Sequence, residues 1–274
     1  MVALGAPVDF SRLLKKASLV GAFFMSAIWL GAANALCPAP ANLPAAQVQR
    51  VVDGDTLRLN DGRSVRMIGL NAPETGKKGQ SAQPFAEAAK RRLQALVDDS
   101  DGQVSLRIGE QATDRYGRTL ANVYGRDGEN LEAILLAEGL GYLVAVSPNV
   151  ALVDCQQAAE KAARQAGLGL WRNSPVQSAD QIGSGGFAVV SGRVSSVQHN
   201  RGGIWIELGD ALVLRVAPDL VAEFDVAGLQ ALKGLQVEAR GWVVDRSRRG
   251  GLKPGQSRWM MPITHPVMLN TENS

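Results

Sequence analysis

Turn signals containing glycine divide the first half of this chain. Asp53-Gly54, Asn60-Asp61-Gly62 and Asp127-Gly128 each stand between runs of residues that favour strands. Because such sequences favour the tight turns of hairpins, they predict a meander of short strands rather than long helices. The strands predicted here span residues 47–59, 64–70, 103–110 and 119–124.

Three helices are predicted among these strands. Apolar residues from Phe85 to Leu96 recur at helical spacing within residues 84–97, and Ser81 is a candidate N-cap. The other two helices are predicted over 130–138 and 152–165, closed by Gly139 and Gly167, since glycine readily takes the left-handed cap conformation. The predicted fold class is therefore mainly β with α (α+β), a barrel with inserted helices.

A second domain is predicted in the last third of the chain. Residues 174–186 are rich in serine, glycine and proline without apolar periodicity, which indicates a linker. Five strands and a helix follow, which predicts a second small β-barrel. The strands are predicted over 188–195, 204–208, 211–216, 235–244 and 259–263, and the helix near 229–232. The predicted domains are thus 46–173 and 187–269.

Three polar segments carry the functional signal. They are Val51-Val52-Asp53-Gly54-Asp55-Thr56, Arg66-Met67-Ile68-Gly69-Leu70-Asn71-Ala72-Pro73-Glu74 and Asp114-Arg115-Tyr116-Gly117-Arg118. Carboxylates can hold a hard cation, while two arginines can clamp a phosphate and neutralise charge in a transition state. Over residues 48–171 the chain resembles the staphylococcal-nuclease-like (thermonuclease) family. The resemblance implies an OB-fold barrel with three helices, and the end of the chain resembles an accessory domain of some bacterial members, here expected to be OB-like.

The resemblance also implies a role for each matching residue. Asp55 matches a side-chain metal ligand, and Ala72 matches a ligand that acts through its backbone carbonyl. Arg66 and Arg118 match the two arginines that contact the scissile phosphate, a task suited to a permanently charged, bidentate guanidinium. Glu74 matches the residue that acts as general base or positions the attacking water.

Asn71 is the main departure from the family pattern, which usually has a second metal-binding aspartate there. An amide oxygen can coordinate Ca²⁺ but carries no negative charge, so the sequence predicts weaker calcium binding. Tyr116 matches a residue beside the phosphate or sugar of the nucleotide, and Arg115 is a candidate phosphate contact. Where family members offer stacking tyrosines, this chain has residues 145–147 without an aromatic side chain, which leaves Tyr142 as the nearest one.

The first residues resemble an export signal. Arg12, Lys15 and Lys16 precede an apolar run over residues 17–30, and Ala33-Asn34-Ala35 is a cleavage site of small residues. We therefore expect a signal peptide over residues 1–35 and a periplasmic or secreted protein. A membrane anchor is the competing interpretation, but the run is shorter than the roughly 20 residues of a spanning helix. We thus expect no stable membrane span after cleavage.

The remaining chain has two cysteines, Cys37 and Cys155. In an oxidising compartment each has only the other as an intramolecular partner, so a disulfide is expected, with two separate thiols as the alternative. Loss of residues 1–35 removes three basic residues and one acid, which lowers the formal charge from +3 to +1. Global charge alone therefore does not indicate a nucleic-acid partner.

These features predict an exported, monomeric, calcium-dependent nuclease that acts on DNA, RNA or both with low sequence specificity. By resemblance, cleavage would leave a 5′-hydroxyl and a 3′-phosphate. One alternative is a barrel weakened by Asn71 that binds nucleic acid or an envelope partner without cutting. A third interpretation puts the function in the second domain, as a protein-interaction or anchoring element.

Overall fold

A computed structural model describes residues 36–76, 79, 81–249, 252 and 255–271. The predicted signal peptide lies outside the described residues. Within them, no helix has the length and apolar character needed to cross a membrane.

A closed barrel of five strands forms the first part of the protein. Its strand order is β1-β2-β3-β6-β5, in which β3 and β6 pair in parallel and the other neighbours pair antiparallel. A two-stranded ribbon, β4 with β7, adjoins it. The strands are β1 (Ala45–Asp53), β2 (Thr56–Leu59), β3 (Ser64–Met67), β4 (Leu70–Asn71), β5 (Gln103–Thr113), β6 (Thr119–Tyr124) and β7 (Tyr142–Leu143). The predicted fold class is confirmed.

Three helices accompany this barrel: α1 (Ala86–Asp99), α2 (Leu131–Ala137) and α3 (Val153–Gln165). The α2 helix begins as predicted, because the Asn130 side chain accepts a hydrogen bond from the Ala133 amide at 3.0 Å. The start predicted for α1 is wrong. Phe85 has a φ of 65° and precedes the helix, which has no side-chain cap, so neither residue 84 nor Ser81 begins it.

The second part of the protein repeats the same pairing pattern. The β9, β10, β11, β13 and β12 strands pair in that order, and β12 pairs again with β9, so the hydrogen bonds run in a closed circuit. The parallel pair is β11 with β13, which are the third and fifth strands of this barrel in chain order, as β3 and β6 are in the first barrel. These elements are β9 (Gly186–Asn200), β10 (Gly203–Leu208), β11 (Leu212–Val216), α4 (Val226–Ala231), β12 (Gln236–Asp245) and β13 (Trp259–Pro262).

Two strands missing from the sequence prediction flank this circuit. They are β8 (Val176–Ser178), which pairs with β9, and β14 (Leu269–Thr271), which pairs with β12. Residues 174–186, predicted as a linker, therefore include a strand of the second sheet. Ala179 and Ile182 from the same segment are buried in the second hydrophobic core. Serine and glycine mark this segment as irregular in composition, yet its few apolar residues pack as structure.

Buried charges and a disulfide hold the chain together. Arg240 of β12 donates two hydrogen bonds to the Glu160 carboxylate of α3, at 2.6 and 2.7 Å, with both side chains almost fully buried. Arg164 of the same helix pairs with Glu238 of β12. The Cys37–Cys155 disulfide is confirmed, with an S–S distance of 2.05 Å, and ties the segment before β1 to α3.

Candidate active site

A cleft of about 560 Å³ is lined by residues of the first barrel and by one residue of the second. It brings three carboxylates and three guanidinium groups together with polar and aromatic side chains. The lining residues are Asp53, Asp55, Arg66, Asn71, Glu74, Arg115, Tyr116, Arg118 and Trp242. Such a cleft offers both oxygen ligands for a cation and donors for an anion.

The turn between β1 and β2 delivers Asp55 to this cleft. Asp55 is only 7% exposed, and burial raises the pKa of its carboxyl group to about 6, although the charge of Arg66 opposes the shift. Gly54 makes the position possible, because a Cβ atom there would lie 2.6 Å from the Cβ of Ala72 and 2.7 Å from that of Ala89. The turn can therefore pack against both segments only with glycine at this position.

Arg66 of β3 crosses the cleft and links several oxygen atoms. Its Nη2 atom lies 3.0 Å from Asp55 Oδ2 and 3.3 Å from Asn71 Oδ1. Its Nη1 atom donates to the carbonyl oxygens of Met67 and Leu70, at 3.0 and 2.7 Å. The backbone therefore fixes the guanidinium plane, and the two side-chain oxygens converge on one positively charged atom.

Ala72 and Glu74 follow on the same segment. The Ala72 amide donates to Asp55 Oδ2 at 2.9 Å, so this segment is hydrogen-bonded directly to the buried carboxylate. The Glu74 amide donates to Gln83 Oε1 at 2.8 Å, and the Gln83 amide donates to the Glu74 carbonyl at 3.0 Å. This reciprocal pair fixes the backbone of Glu74 at the edge of the cleft, where its side chain is exposed.

Arg118 is oriented by Asp114 at the two ends of the β5–β6 turn. Its Nε atom donates to Asp114 Oδ2 at 2.7 Å, while Asp114 Oδ1 accepts from the amides of Tyr116 and Arg118, both at 2.9 Å. Burial alone would raise the pKa of Asp114, but these hydrogen bonds outweigh it and lower the pKa. Among the described residues, the Nη atoms of Arg118 have no hydrogen-bond acceptor, so its fork can face an anion.

Tyr116 stands at the tip of the same turn. The residue is 69% exposed. The Arg115 guanidinium lies 4.8 Å from the centre of its ring, and the Arg118 guanidinium lies 5.6 Å from it. Arg115 also donates to the tyrosine hydroxyl at 2.8 Å. The turn therefore presents an aromatic face flanked by two cations, which suits a phosphodiester with its sugar or base.

The donor set fits a hard cation. Asp55 and Asn71 supply side-chain oxygens that converge on the Arg66 Nη2 atom, where positive charge is already stabilised. The described residues contain no group of three or more His, Cys, Asp or Glu side chains suited to a metal. A cation here would therefore depend on one buried carboxylate, an amide oxygen and backbone carbonyls, all of them ligands that Ca²⁺ accepts.

Comparison with known proteins agrees with this geometry. A family model described as "Staphylococcal nuclease homologue" matches residues 64–173. The thermonuclease of Staphylococcus hyicus is 36% identical over 141 residues, which cover 48% of this chain and 79% of that protein. The chain belongs to the staphylococcal nuclease family. The resemblance predicted from the three polar segments is thereby confirmed.

Two further relatives are similar at the same level. Endonuclease YncB of Bacillus subtilis (strain 168) is 34% identical over 131 residues, which cover 46% of this chain and 61% of that protein. The micrococcal nuclease of Shigella flexneri is 34% identical over 143 residues, covering 48% and 75%. The chain spans less than two thirds of the length of YncB, and these matches cover about half of the chain described here.

The structure brings most of the predicted site residues of this family member into one cleft. Ala72 lies just behind it, buried and bonded to Asp55. Tyr142, the expected aromatic neighbour, packs instead against Trp171 and Phe187 and does not line the cleft. The sequence prediction named neither Asp114 as the partner of Arg118 nor Trp242 as a lining residue. Asp114 begins the third motif, where an aspartate before a tight turn is a recognisable local signal, whereas nothing near Trp242 in sequence indicates the cleft.

Proposed function

We propose that this chain is an exported, calcium-dependent nuclease that hydrolyses phosphodiester bonds of DNA, RNA or both with low sequence specificity and acts as a monomer. The observation that carries the proposal is the shared cleft, whose lining includes Arg66, Glu74 and Arg118 together with Asp55 and Asn71. The relatives named above, a thermonuclease, an endonuclease and a micrococcal nuclease, support the same class of reaction.

The chemistry follows from the placement of these side chains. Arg118 would donate its Nη–H groups to the non-bridging phosphate oxygens, and Arg66, whose Nη atoms are held by protein oxygens, would place its positive charge beside them and stabilise the charge that grows there. Glu74, exposed at the cleft edge, would accept the proton of the attacking water as the water oxygen bonds to phosphorus. The bond from phosphorus to the 5′-oxygen would break, and that oxygen would take a proton from solvent to become the 5′-hydroxyl. Asp55, Asn71 and the Ala72 carbonyl would hold Ca²⁺, which when bound supplies Lewis-acid polarisation of the phosphate. Most of these contacts would be to phosphate, which carries little sequence information, so low sequence specificity is expected.

The test is cleavage of single-stranded DNA, double-stranded DNA and RNA by the purified protein over a calcium titration, with a chelator control. The informative variants are Arg66→Ala and Glu74→Gln. Their matched controls are Arg63→Ala, whose partner is the exposed Asp61, and Glu110→Gln on the exposed part of β5. Loss of cutting in the first pair but not the second supports the proposal. Folded protein that does not cut at any calcium concentration overturns it, and retained oligonucleotide binding would then favour a barrel that binds nucleic acid without cutting.

Export is supported by two features. The basic residues Arg12, Lys15 and Lys16 precede an apolar run, and the Cys37–Cys155 disulfide suits an oxidising compartment. Fractionation of producing cells, with N-terminal sequencing of the protein recovered, tests this point. A periplasmic or extracellular product that begins near residue 36 is expected, whereas a cytoplasmic product that keeps residues 1–35 contradicts it.

A further inference from the structure

The second barrel contributes one side chain to the cleft, Trp242. This residue lies on β12 and is 41% exposed, unusually open for so large an aromatic ring. It lines the polar cleft described above and also a neighbouring cavity of about 400 Å³. All other lining residues of both belong to the first barrel or its loops.

The neighbouring cavity differs in chemistry from the cleft. Beyond the shared arginines and Tyr116, its wall includes the apolar side chains of Leu120, Val144 and Val146, with Gln111 and Asn149 as polar groups. The two cavities meet at a common set of side chains, Arg66, Arg115, Tyr116, Arg118 and Trp242. A nucleotide is divided in the same way, into a charged phosphate and a base with apolar faces and a polar edge.

The indole of Trp242 is held in place by other rings. Phe187 packs against it edge to face, with ring centres 5.3 Å apart, and Tyr142 lies 5.1 Å from Phe187. Trp171 continues the series at 5.7 Å from Tyr142. The series runs from the first barrel into the second and ends at the cleft. An aromatic ring anchored on one side and exposed on the other loses little entropy when a flat ligand stacks on it.

We propose that Trp242 stacks on the nucleobase next to the scissile phosphate, so that the second barrel completes the substrate site and favours single-stranded nucleic acid. This inference rests on the nuclease function proposed above. Residues 145–147 have no aromatic side chain, and Val146 lines the same cavity as Trp242. A base can meet the indole only when it has left its own helical stack, and an unpaired strand pays least for that.

The test compares Trp242→Ala and Trp242→Phe with Trp205→Ala, which removes an indole from β10 away from both cavities. The substrate is a single-stranded oligothymidylate, used intact and with one abasic nucleotide next to the cleaved bond. With the intact strand, Trp242→Ala should raise KM by about 5- to 100-fold, the size of one base-aromatic stack, with kcat nearly unchanged. Trp242→Phe should recover most of the loss, and Trp205→Ala should behave as the unaltered protein.

The abasic strand separates stacking from a general structural effect. Removal of the base should cost the unaltered protein at least as much as Trp242→Ala costs it, and should cost Trp242→Ala clearly less than it costs the unaltered protein, because the stacking partner is already gone. Equal further losses in both proteins, or an unchanged KM in Trp242→Ala, overturn the inference. If the alanine variant unfolds, the folded Trp242→Phe protein and the unaltered protein are compared instead. A KM that base removal changes in neither of these two proteins overturns the inference as well.

Binding measurements distinguish failure of this inference from failure of the proposed function. Equilibrium binding of a fluorescent oligothymidylate is measured in the presence of a chelator, where cutting is not required. A protein that never cuts but loses affinity 5- to 100-fold on Trp242→Ala would contradict the nuclease proposal while supporting the stacking site. A protein that cuts but binds and cleaves equally well without the indole would do the opposite.

Discussion

Asp114 organises the arginine turn through both of its carboxylate oxygens. Oδ1 accepts two backbone amides and Oδ2 accepts the Arg118 Nε–H at 2.7 Å. Only a carboxylate can do both, because an asparagine has a single side-chain oxygen. That oxygen could accept either the backbone amides or the guanidinium N–H, but not both. Asp114 is therefore a positioning residue that acts through Arg118.

The substitution Asp114→Asn should lower kcat/KM by about 10- to 100-fold, the loss expected for one hydrogen bond to a charged group. The turn itself should survive, since the Asn oxygen can still accept the amides of Tyr116 and Arg118. The matched control is Asp61→Asn on an exposed turn. Asp61 accepts the same two kinds of hydrogen bond, one from the Arg63 amide and one from the Arg63 Nε atom. Steady-state kinetics and thermal unfolding of both variants check this. Similar kinetics in the two variants would contradict it.

Asn71 sets the charge of the cation site. With Asp55 as the one buried carboxylate beside it, the described oxygens offer little negative charge to a divalent ion. The substitution Asn71→Asp should therefore lower the calcium concentration for half-maximal activity by about tenfold or more, since affinity rises with ligand charge.

Asn71→Ala is the control that removes the oxygen altogether. It should raise the half-saturating calcium concentration, so that the three proteins rank Asp, Asn, Ala in affinity. Calorimetric titration of calcium provides a second measurement that does not depend on cleavage. Equal affinities across the series would show that residue 71 is not a ligand.

Glu132 links α2 to β6. Its carboxylate is fully buried and accepts the Val123 amide at 2.9 and 3.2 Å, together with the Asn130 side-chain amide. Burial is the dominant influence and raises the pKa of Glu132 to about 8, although the hydrogen bonds oppose the shift. The folded protein therefore keeps this proton at pH values where an unfolded chain has lost it.

A defined pH dependence of stability follows. Between the unfolded pKa, near 4.5, and the folded pKa, about 8, the folded state binds more protons, so the free energy of unfolding falls as pH rises. Glu132→Gln, which stays neutral, should lack this component. Its stability relative to the unaltered protein should therefore improve by on the order of a few kcal/mol from the lower to the upper end of that range.

Denaturant unfolding at several pH values measures this difference. Glu87→Gln, at an exposed position of α1, serves as the control and should run parallel to the unaltered protein. A parallel curve for Glu132→Gln as well would show that the buried carboxyl group ionises normally in the folded protein.

Predictability from sequence also differs between elements. Asn130 and the glycines after α2 and α3 are local signals, and those helices form close to their predicted bounds. The start of α1 has no such signal, because it begins after Phe85 in a left-handed conformation that a phenylalanine rarely adopts. The short strands β8 and β14 form because the long strands β9 and β12 offer them an edge, which composition alone does not reveal.

The two halves of the candidate site also differ in how far the sequence predicts them. The first-barrel residues lie in three short motifs whose internal spacing is visible in sequence, so most of them could be named. Trp242 reaches the cleft through packing between the two barrels, and the Glu160–Arg240 pair joins residues 80 positions apart. Contacts of this kind depend on tertiary structure and have no local pattern.

The Glu160–Arg240 pair connects α3 to β12 and is almost fully buried. Arg240 is 4% exposed, and its removal would leave Glu160 as a buried carboxylate that accepts, among the described residues, only the hydrogen bond from the Leu143 amide at 2.7 Å. Arg240→Met should therefore lower the free energy of unfolding by about 3–5 kcal/mol. Adding Glu160→Gln should recover most of the loss, because the variant that lacks both charges leaves neither one unpaired.

The exposed pair of Arg126 and Asp101 provides the control, and Arg126→Met should change stability by at most about 1 kcal/mol. Denaturant unfolding measures all three variants.

Because Arg240 and Trp242 lie two positions apart on β12, they share one side of the strand, so the buried pair should also help hold the indole at the cleft. Arg240→Met should then weaken oligothymidylate binding in the still-folded protein, and addition of Glu160→Gln should restore it. An affinity that does not change in either variant would mean that the ring series alone positions Trp242.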